Sequence, residues 1–141
     1  NTTGGENTAI GTLSLGANTT ANQNTAVGYN ALFVNTTGSY NTAIGDYSLD
    51  ANTTGTTNVA VGSAALTANT TGPRNTGIGY EALKTNTTGY QNSTVGYQAG
   101  YAITTGYKNV MMGDNSGSAT TTGYHNVFAG KTMEPATSNY Y

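Results

Sequence analysis

Apolar residues recur along this chain at one fixed interval. Asn7-Thr-Ala-Ile-Gly11 returns as Asn24-Thr-Ala-Val-Gly28, and versions of the run begin at Asn41, Asn58, Asn75, Asn92, Asn109 and Asn126, always 17 residues on (24 − 7 = 17). Inside Asn58-Val-Ala-Val-Gly62, alternation puts Val59 and Val61 on one side and Ala60 with Gly62 on the other, which predicts a short β-strand. The fourth place holds Ile10, Val27, Ile44, Val61, Ile78 and Val95, then Met112 and Ala129, while the second accepts Thr8, Thr25, Thr42 and Val59. These two places are expected to face the interior as an apolar ladder with a partly polar neighbour. The third place runs Ala9, Ala26, Ala43, Ala60, Gly77, Thr94, Met111 and Phe128. A small residue there permits close approach by another backbone.

A second segment carries one Leu per repeat, at Leu15, Leu32, Leu49, Leu66 and Leu83, predicted as the rung opposing the Ile/Val ladder. Gly100 and Gly117 take that place later, so the two ends of the array pack differently, as the terminal repeats of solenoids commonly do. Between the segments lies Asn35-Thr-Thr-Gly38, repeated from Asn52, Asn69 and Asn86, with Gly106 and Gly123 keeping the last place. This reads as a turn in which Gly supplies positive φ and Asn bonds nearby backbone or its copy one rung away. Two short strands and two turns then fill the period. Pro73 falls in that turn and Pro135 beyond the last strand motif, where neither removes a ladder hydrogen bond.

A gapless period of this size makes each repeat one supersecondary unit stacked on the next. The fold class is all-β, a parallel β-solenoid or β-roll of 17-residue coils over residues 1–133, with 134–141 as a tail or a junction to a following segment. Strands about 4.8 Å apart give a core roughly 40 Å long. One Leu and one Ile or Val per coil, at about 1.5–3 kcal/mol each, is thin against the cost of ordering a coil. Burial of the Ala/Gly face against identical chains is therefore expected to build an oligomer.

Charged residues make up only 7 % of the chain, yet strict periodicity argues for order through stacking over disorder. Glu6, Asp46, Asp50, Glu81, Asp114 and Glu134 stand against Arg74, Lys84, Lys108 and Lys131, for a net charge of −2. Four scattered cations make no basic face, so neither nucleic acid nor a membrane surface is an expected partner. No apolar run approaches the roughly 20 residues that span a bilayer. The chain begins inside a repeat without a Met-initiated signal segment, as a fragment or a mature product would. The absence of Cys removes disulfides, thiolate metal sites and cysteine nucleophiles. No cofactor is expected.

Asn-Thr-Ala-Ile-Gly at Asn7 and Asn41, and Asn58-Val-Ala-Val-Gly62, resemble the Asn-Ser-Val-Ala-Ile-Gly repeat of YadA-like trimeric autotransporter adhesin heads. The Gly-Tyr-x-Ala-Leu-x-x-Asn-Thr-Thr-Gly connection from Gly79 to Gly89 is similar to repeat regions of bacteriophage tail fibres and fibre-like bacterial surface proteins. Gly96-Tyr-Gln-Ala-Gly100 and Asn126-Val-Phe-Ala-Gly130 look like the closing repeats of such regions. The resemblance implies a left-handed coil and a homotrimer.

Candidate chemistry is sparse. Asp114, Ser116 and His125 supply the residue types of a hydrolytic triad, but no nucleophile-elbow pattern surrounds Ser116, and His125 stands in a variable, solvent-facing place. Asp46 and Asp50 are isolated and the calcium-binding Gly-rich repeat is missing, so no metal is assigned. Asn18, Asn35, Asn52, Asn69 and Asn86 match the glycosylation sequon, as does Asn92, although turn chemistry accounts for the Asn-Thr-Thr copies without a sugar. The adjacent Thr pairs raise ice binding but lack Thr-x-Thr spacing. Tyr29, Tyr80 and Tyr97 form one aromatic stripe, and Tyr90, Tyr107 and Tyr124 a second that is the first place to look for a bound receptor. The expected function is a non-enzymatic structural or adhesive fibre segment, extracellular on a bacterial surface or in a phage tail fibre. Its expected partners are copies of itself and a host-surface glycan or receptor. The alternatives are a self-assembling extracellular filament and a monomeric ice-binding or glycan-binding solenoid.

Overall fold

A computed structural model describes residues 2–132; the expected tail, 134–141, with Pro135, lies outside the described residues. Each coil contributes one three-residue strand: β1 (Thr8–Ile10), β2 (Thr25–Val27), β3 (Thr42–Ile44), β4 (Val59–Val61), β5 (Thr76–Ile78), β6 (Ser93–Val95), β7 (Val110–Met112) and β8 (Val127–Ala129). They pair in chain order, all parallel, in one eight-stranded sheet. Register is strict, with Thr8 opposite Thr25, Ala9 opposite Ala26 and Ile10 opposite Val27. The protein is thus the 17-residue parallel β-solenoid its period predicts.

The Leu segment is not a second strand. Its amide protons point alternately within and between coils: Ser14, Gly16 and Asn18 donate to Gly11, Leu13 and Leu15 three residues back, while Leu15 and Ala17 donate to Ala31 and Phe33 of the next coil. Left-handed φ at every second residue, 61° at Leu13 and 50° at Leu15, produces that alternation. Such a conformation costs an L-residue roughly 1–2 kcal/mol. Burying the Leu side chain, worth about 1.5–3 kcal/mol, offsets it.

The interior differs from the expected one. The middle residue of each strand points in, and Ala26, Ala43 and Ala60 are fully buried against Leu32, Leu49 and Leu66. The second and fourth places point out, leaving Ile10 59 %, Ile44 40 %, Ile78 37 %, Val95 42 % and Met112 52 % exposed. Asn at the first place decides this. Its side-chain amide is buried and bonds the turn that leads into the strand of the next coil, as in Asn24 Nδ2 to the Gly38 carbonyl (3.0 Å), and period-2 alternation then turns the third place inward with it. With Leu filling the cross-section, only a small strand residue fits opposite. The Ile/Val ladder is real as a register and wrong as a core, and the Ala/Gly face is internal, not a surface for neighbouring chains.

Two Asn columns line this interior. Asn52 Nδ2 donates to Asn35 Oδ1 (2.8 Å) and to the Gly55 carbonyl (3.0 Å), and Asn69 and Asn86 repeat the pattern. In the other column the Asn41 amide donates to Asn24 Oδ1 and the Asn58 amide to Asn41 Oδ1, each at 2.9 Å. Both kinds of bond expected of the turn Asn are present, to nearby backbone and to the copy one rung away. Glycine's role is divided differently. The strand-ending glycines carry positive φ, as at Gly45 (133°). Gly38 does not; it is glycine because a β-carbon there would stand 2.6 Å from Asn35 Oδ1.

Candidate binding surfaces

With the interior filled by Ala, Leu and Asn, whatever this chain engages meets the outside of the coils. The outer strand face carries two ranks, Thr8, Thr25, Thr42, Val59, Thr76, Ser93, Val110 and Val127 beside Ile10, Val27, Ile44, Val61, Ile78, Val95, Met112 and Ala129, with no charge in either. Coil stacking at about 4.8 Å per rung makes this a continuous, regular and largely aliphatic strip.

The Tyr90–Tyr107–Tyr124 stripe is a stacked column, whereas of the Tyr29, Tyr80 and Tyr97 stripe only Tyr80 and Tyr97 stack, since Asp46 and Ser63 interrupt it after Tyr29. Tyr90 and Tyr107 lie with ring centroids 4.8 Å apart and planes 5° off parallel, and Tyr107 and Tyr124 follow at 5.1 Å and 5°. His125 meets the edges of Tyr107 and Tyr124 at 81°. Tyr80 and Tyr97 stack at 5.4 Å, whereas Tyr29 meets Tyr47 edge-on at 5.3 Å, because Asp46 occupies the place next to Tyr29 and its carboxylate accepts the Tyr29 amide. Stacking has a chemical consequence. The faces between neighbouring rings are already covered, so the Tyr90–Tyr107–Tyr124 column presents edges and hydroxyls in place of a platform of open faces.

Beside Tyr80 and Tyr97 sits the tightest polar cluster. Glu81, 9 % exposed, accepts from Lys84 Nζ (2.6 Å) and Gln98 Nε2 (2.7 Å), and these bonds hold its carboxyl below the ordinary glutamate range. Lys84, raised in turn by Glu81, also lies over the Tyr101 ring at 5.6 Å. Glu81 and Gln98 share one place of the repeat, 17 residues apart, and Lys84 stands three residues after Glu81, so the spacing carried a signal for this cluster; it went unread because no other coil repeats the set. Asp50 has no such partner: one carboxylate oxygen is buried without a hydrogen bond, and desolvation pushes its pKa up.

The triad residues are not gathered. Ser116 is buried and its hydroxyl donates inward to the Phe128 carbonyl (3.0 Å), while His125 packs outside on the tyrosines and Asp114 accepts from Asn115 and pairs with Lys131. Among the described residues no group of three or more His, Asp or Glu side chains could hold a metal ion. The sequon residues Asn18, Asn35, Asn52, Asn69 and Asn86 are at most 2 % exposed, and each commits its Nδ2, the atom a glycan would occupy, to a carbonyl three residues on. Among the described residues no helix is long and apolar enough to cross a membrane.

Comparison with protein-family models, with curated proteins and with solved structures finds no match to this chain.

Proposed function

We propose that this chain is a non-enzymatic structural and adhesive fibre segment, a stiff rod that assembles as a homotrimer and carries an attachment surface outside the cell or on a virion. The observation that carries the reading is the outer strand face. Eight rungs, mostly of Ile, Val and Thr, stand in register on the outside of a coil whose own core is, in most copies, one Leu and one small residue thick. Side-chain faces along such a strip, about 34 Å long, expose on the order of 500–800 Å² per copy, near the roughly 800 Å² each partner contributes to a stable interface. Copies packed around an axis parallel to the rod would remove this strip from water along its whole length and would keep equivalent residues at one height. A rod whose coils are joined at every turn by backbone hydrogen bonds suits a spacer that must resist bending and proteolysis. The trimer, the bacterial-surface or tail-fibre setting and the adhesive role extend the resemblance of the repeats.

The test is the mass of the purified chain by light scattering, with negative-stain images of the same sample. A discrete trimer supports the reading. A monomer would sink it in favour of an isolated solenoid module, and indefinite filaments would make stacking itself the function.

A further inference from the structure

The four cations do not share one fate. Lys84 is paired with Glu81 at 2.6 Å and Lys131 with Asp114 at 3.5 Å. Arg74 and Lys108 have no ion-pair partner among the described residues, and both occupy the place just before the strand Asn, two coils apart (108 − 74 = 34), which is about 9.6 Å along the rod. Gln91 lies between them and His125 follows, all four exposed. The adjoining column is Pro73, Tyr90, Tyr107 and Tyr124. Neither column holds an acid over this stretch. Asp46, Asp50, Glu81 and Asp114 fall at other places of the repeat, and Glu6, in the same column, is at the far end, where Gln23 donates to it.

We propose that this strip, Arg74, Gln91, Lys108 and His125 beside the Tyr90–Tyr107–Tyr124 stack, binds an anionic polysaccharide whose carboxylate or sulfate groups recur along the polymer. The proposal deepens the adhesive role above and rests on it. The cations supply attraction at a fixed interval. The tyrosines, stacked with their inner faces covered, offer a row of phenolic hydroxyls at coil spacing, suited to donating to carboxylate or sulfate oxygens. His125 braces two of those rings at 5.6 and 5.7 Å. Exposed Thr88, Thr105 and Thr122 line the far side of the tyrosine column with further hydroxyls.

The scaffold under the strip is rigid. Arg74, Lys108 and His125 hold φ of 54–59°, and their amides donate to Thr56, Tyr90 and Tyr107 of the preceding coils, so only side-chain freedom is lost on binding. A periodic row meeting a periodic polymer gains from simultaneous contacts, each weak alone. Single-stranded nucleic acid is the other polyanion to weigh. It binds chiefly by stacking bases on open aromatic faces, and here the faces between the stacked rings are closed.

The test uses the purified chain in its native assembly on immobilised polygalacturonate, heparin and neutral dextran, with single-stranded poly(dT) as competitor, at low and high salt. The expected result is salt-sensitive retention on polygalacturonate, heparin or both, the first marking carboxylate and the second sulfate recognition, and none on dextran. Removing both free cations in R74Q/K108Q should weaken retention about tenfold or more. Y107F, which keeps the ring stack and removes one hydroxyl, should weaken it a few-fold, and K84Q should leave it unchanged. Retention equal to that on dextran, a K84Q loss as large as that of R74Q/K108Q, or displacement by poly(dT) at lower concentration than by either polysaccharide would overturn the assignment. Light scattering on the same samples separates this failure from failure of the rod: a trimer that ignores both polyanions overturns this site and leaves the fibre reading standing.

Discussion

A β-carbon placed on Gly117 would stand 2.5 Å from Met111 Sδ, so the two residues share one volume in the core. The same exchange runs along the array. Coils with Ala or Gly at the strand centre carry Leu on the opposite wall, and coils with Thr94 or Met111 carry Gly100 or Gly117 there. Gly117 keeps the left-handed φ of the Leu places, 62° against 50° at Leu15, so it is the space and not the backbone that excludes Leu. G117L should therefore overpack and cost about 1–3 kcal/mol. M111A should leave a cavity and cost about 2–5 kcal/mol. Together they rebuild the Ala/Leu pair of the earlier coils, and the double variant should be more stable than the sum of the singles by 1 kcal/mol or more, on the order of known contact couplings. Urea unfolding of the four proteins checks it, and simple additivity would refute the shared volume.

The turn Asn column stops at Asn86 because Ile103 takes the next place, and Asn86 Oδ1 is left buried without a donor. I103A removes apolar packing and should cost about 2–5 kcal/mol. I103N also loses apolar burial but offers an amide to the orphaned oxygen, whose missing partner is worth about 1–3 kcal/mol. It should be clearly milder than I103A in thermal unfolding; equal losses would show that the column does not extend.

Glu81 and Asp50 should give opposite pH responses. Lys84 and Gln98 hold the Glu81 pKa below its ordinary 4.5, so its stabilising contribution is complete above that value and fades as pH falls through the lower folded one. E81Q should lower the urea midpoint at neutral pH, and the gap should close in acid. Asp50 is raised above 3.8 by desolvation, so its charge opposes folding at neutral pH and protonation relieves it as pH falls through the folded value. D50N should raise the midpoint at neutral pH, with an advantage that shrinks toward pH 3.8. A pH-independent effect of either substitution contradicts the assignment.

On the outer strand face, I44K with I78K places two ammonium groups on a strip that is solvent-facing in the single chain and buried in the proposed trimer. The coil signal in circular dichroism should persist while the mass in solution falls to that of one chain. L49K, at a fully buried rung, should abolish the coil signal itself. A trimer that survives I44K/I78K puts the seam elsewhere. Because the native chain has no Cys, I44C alone supplies a clean cross-linking probe, and oxidation should link equivalent positions of different copies.

Repeat length, strand placement, parallel stacking and the Leu rung were all legible in the sequence, because a 17-residue period with Asn and Gly at fixed places leaves few ways to stack a chain. The tyrosine columns were legible for the same reason. The direction of the strand faces was not. Alternation in Thr-Ala-Ile separates two sides without saying which is inside, and hydrophobicity pointed to Ile; a buried amide reaching from Asn24 to Gly38 turned the strand the other way.

The sequence by itself determined the coil, its register and the columns, since identical residues 17 apart in a stack must lie over one another. Only the tertiary structure decided what each column does. It closed a cross-section that one Leu fills, which sent Ile and Val outward, hid the sequon amides, separated Ser116 from His125, and left Arg74 and Lys108 facing water while Lys84 and Lys131 found carboxylates. Those outcomes depend on side-chain volume and on which polar groups must be satisfied across the interior, and neither is written in any single repeat.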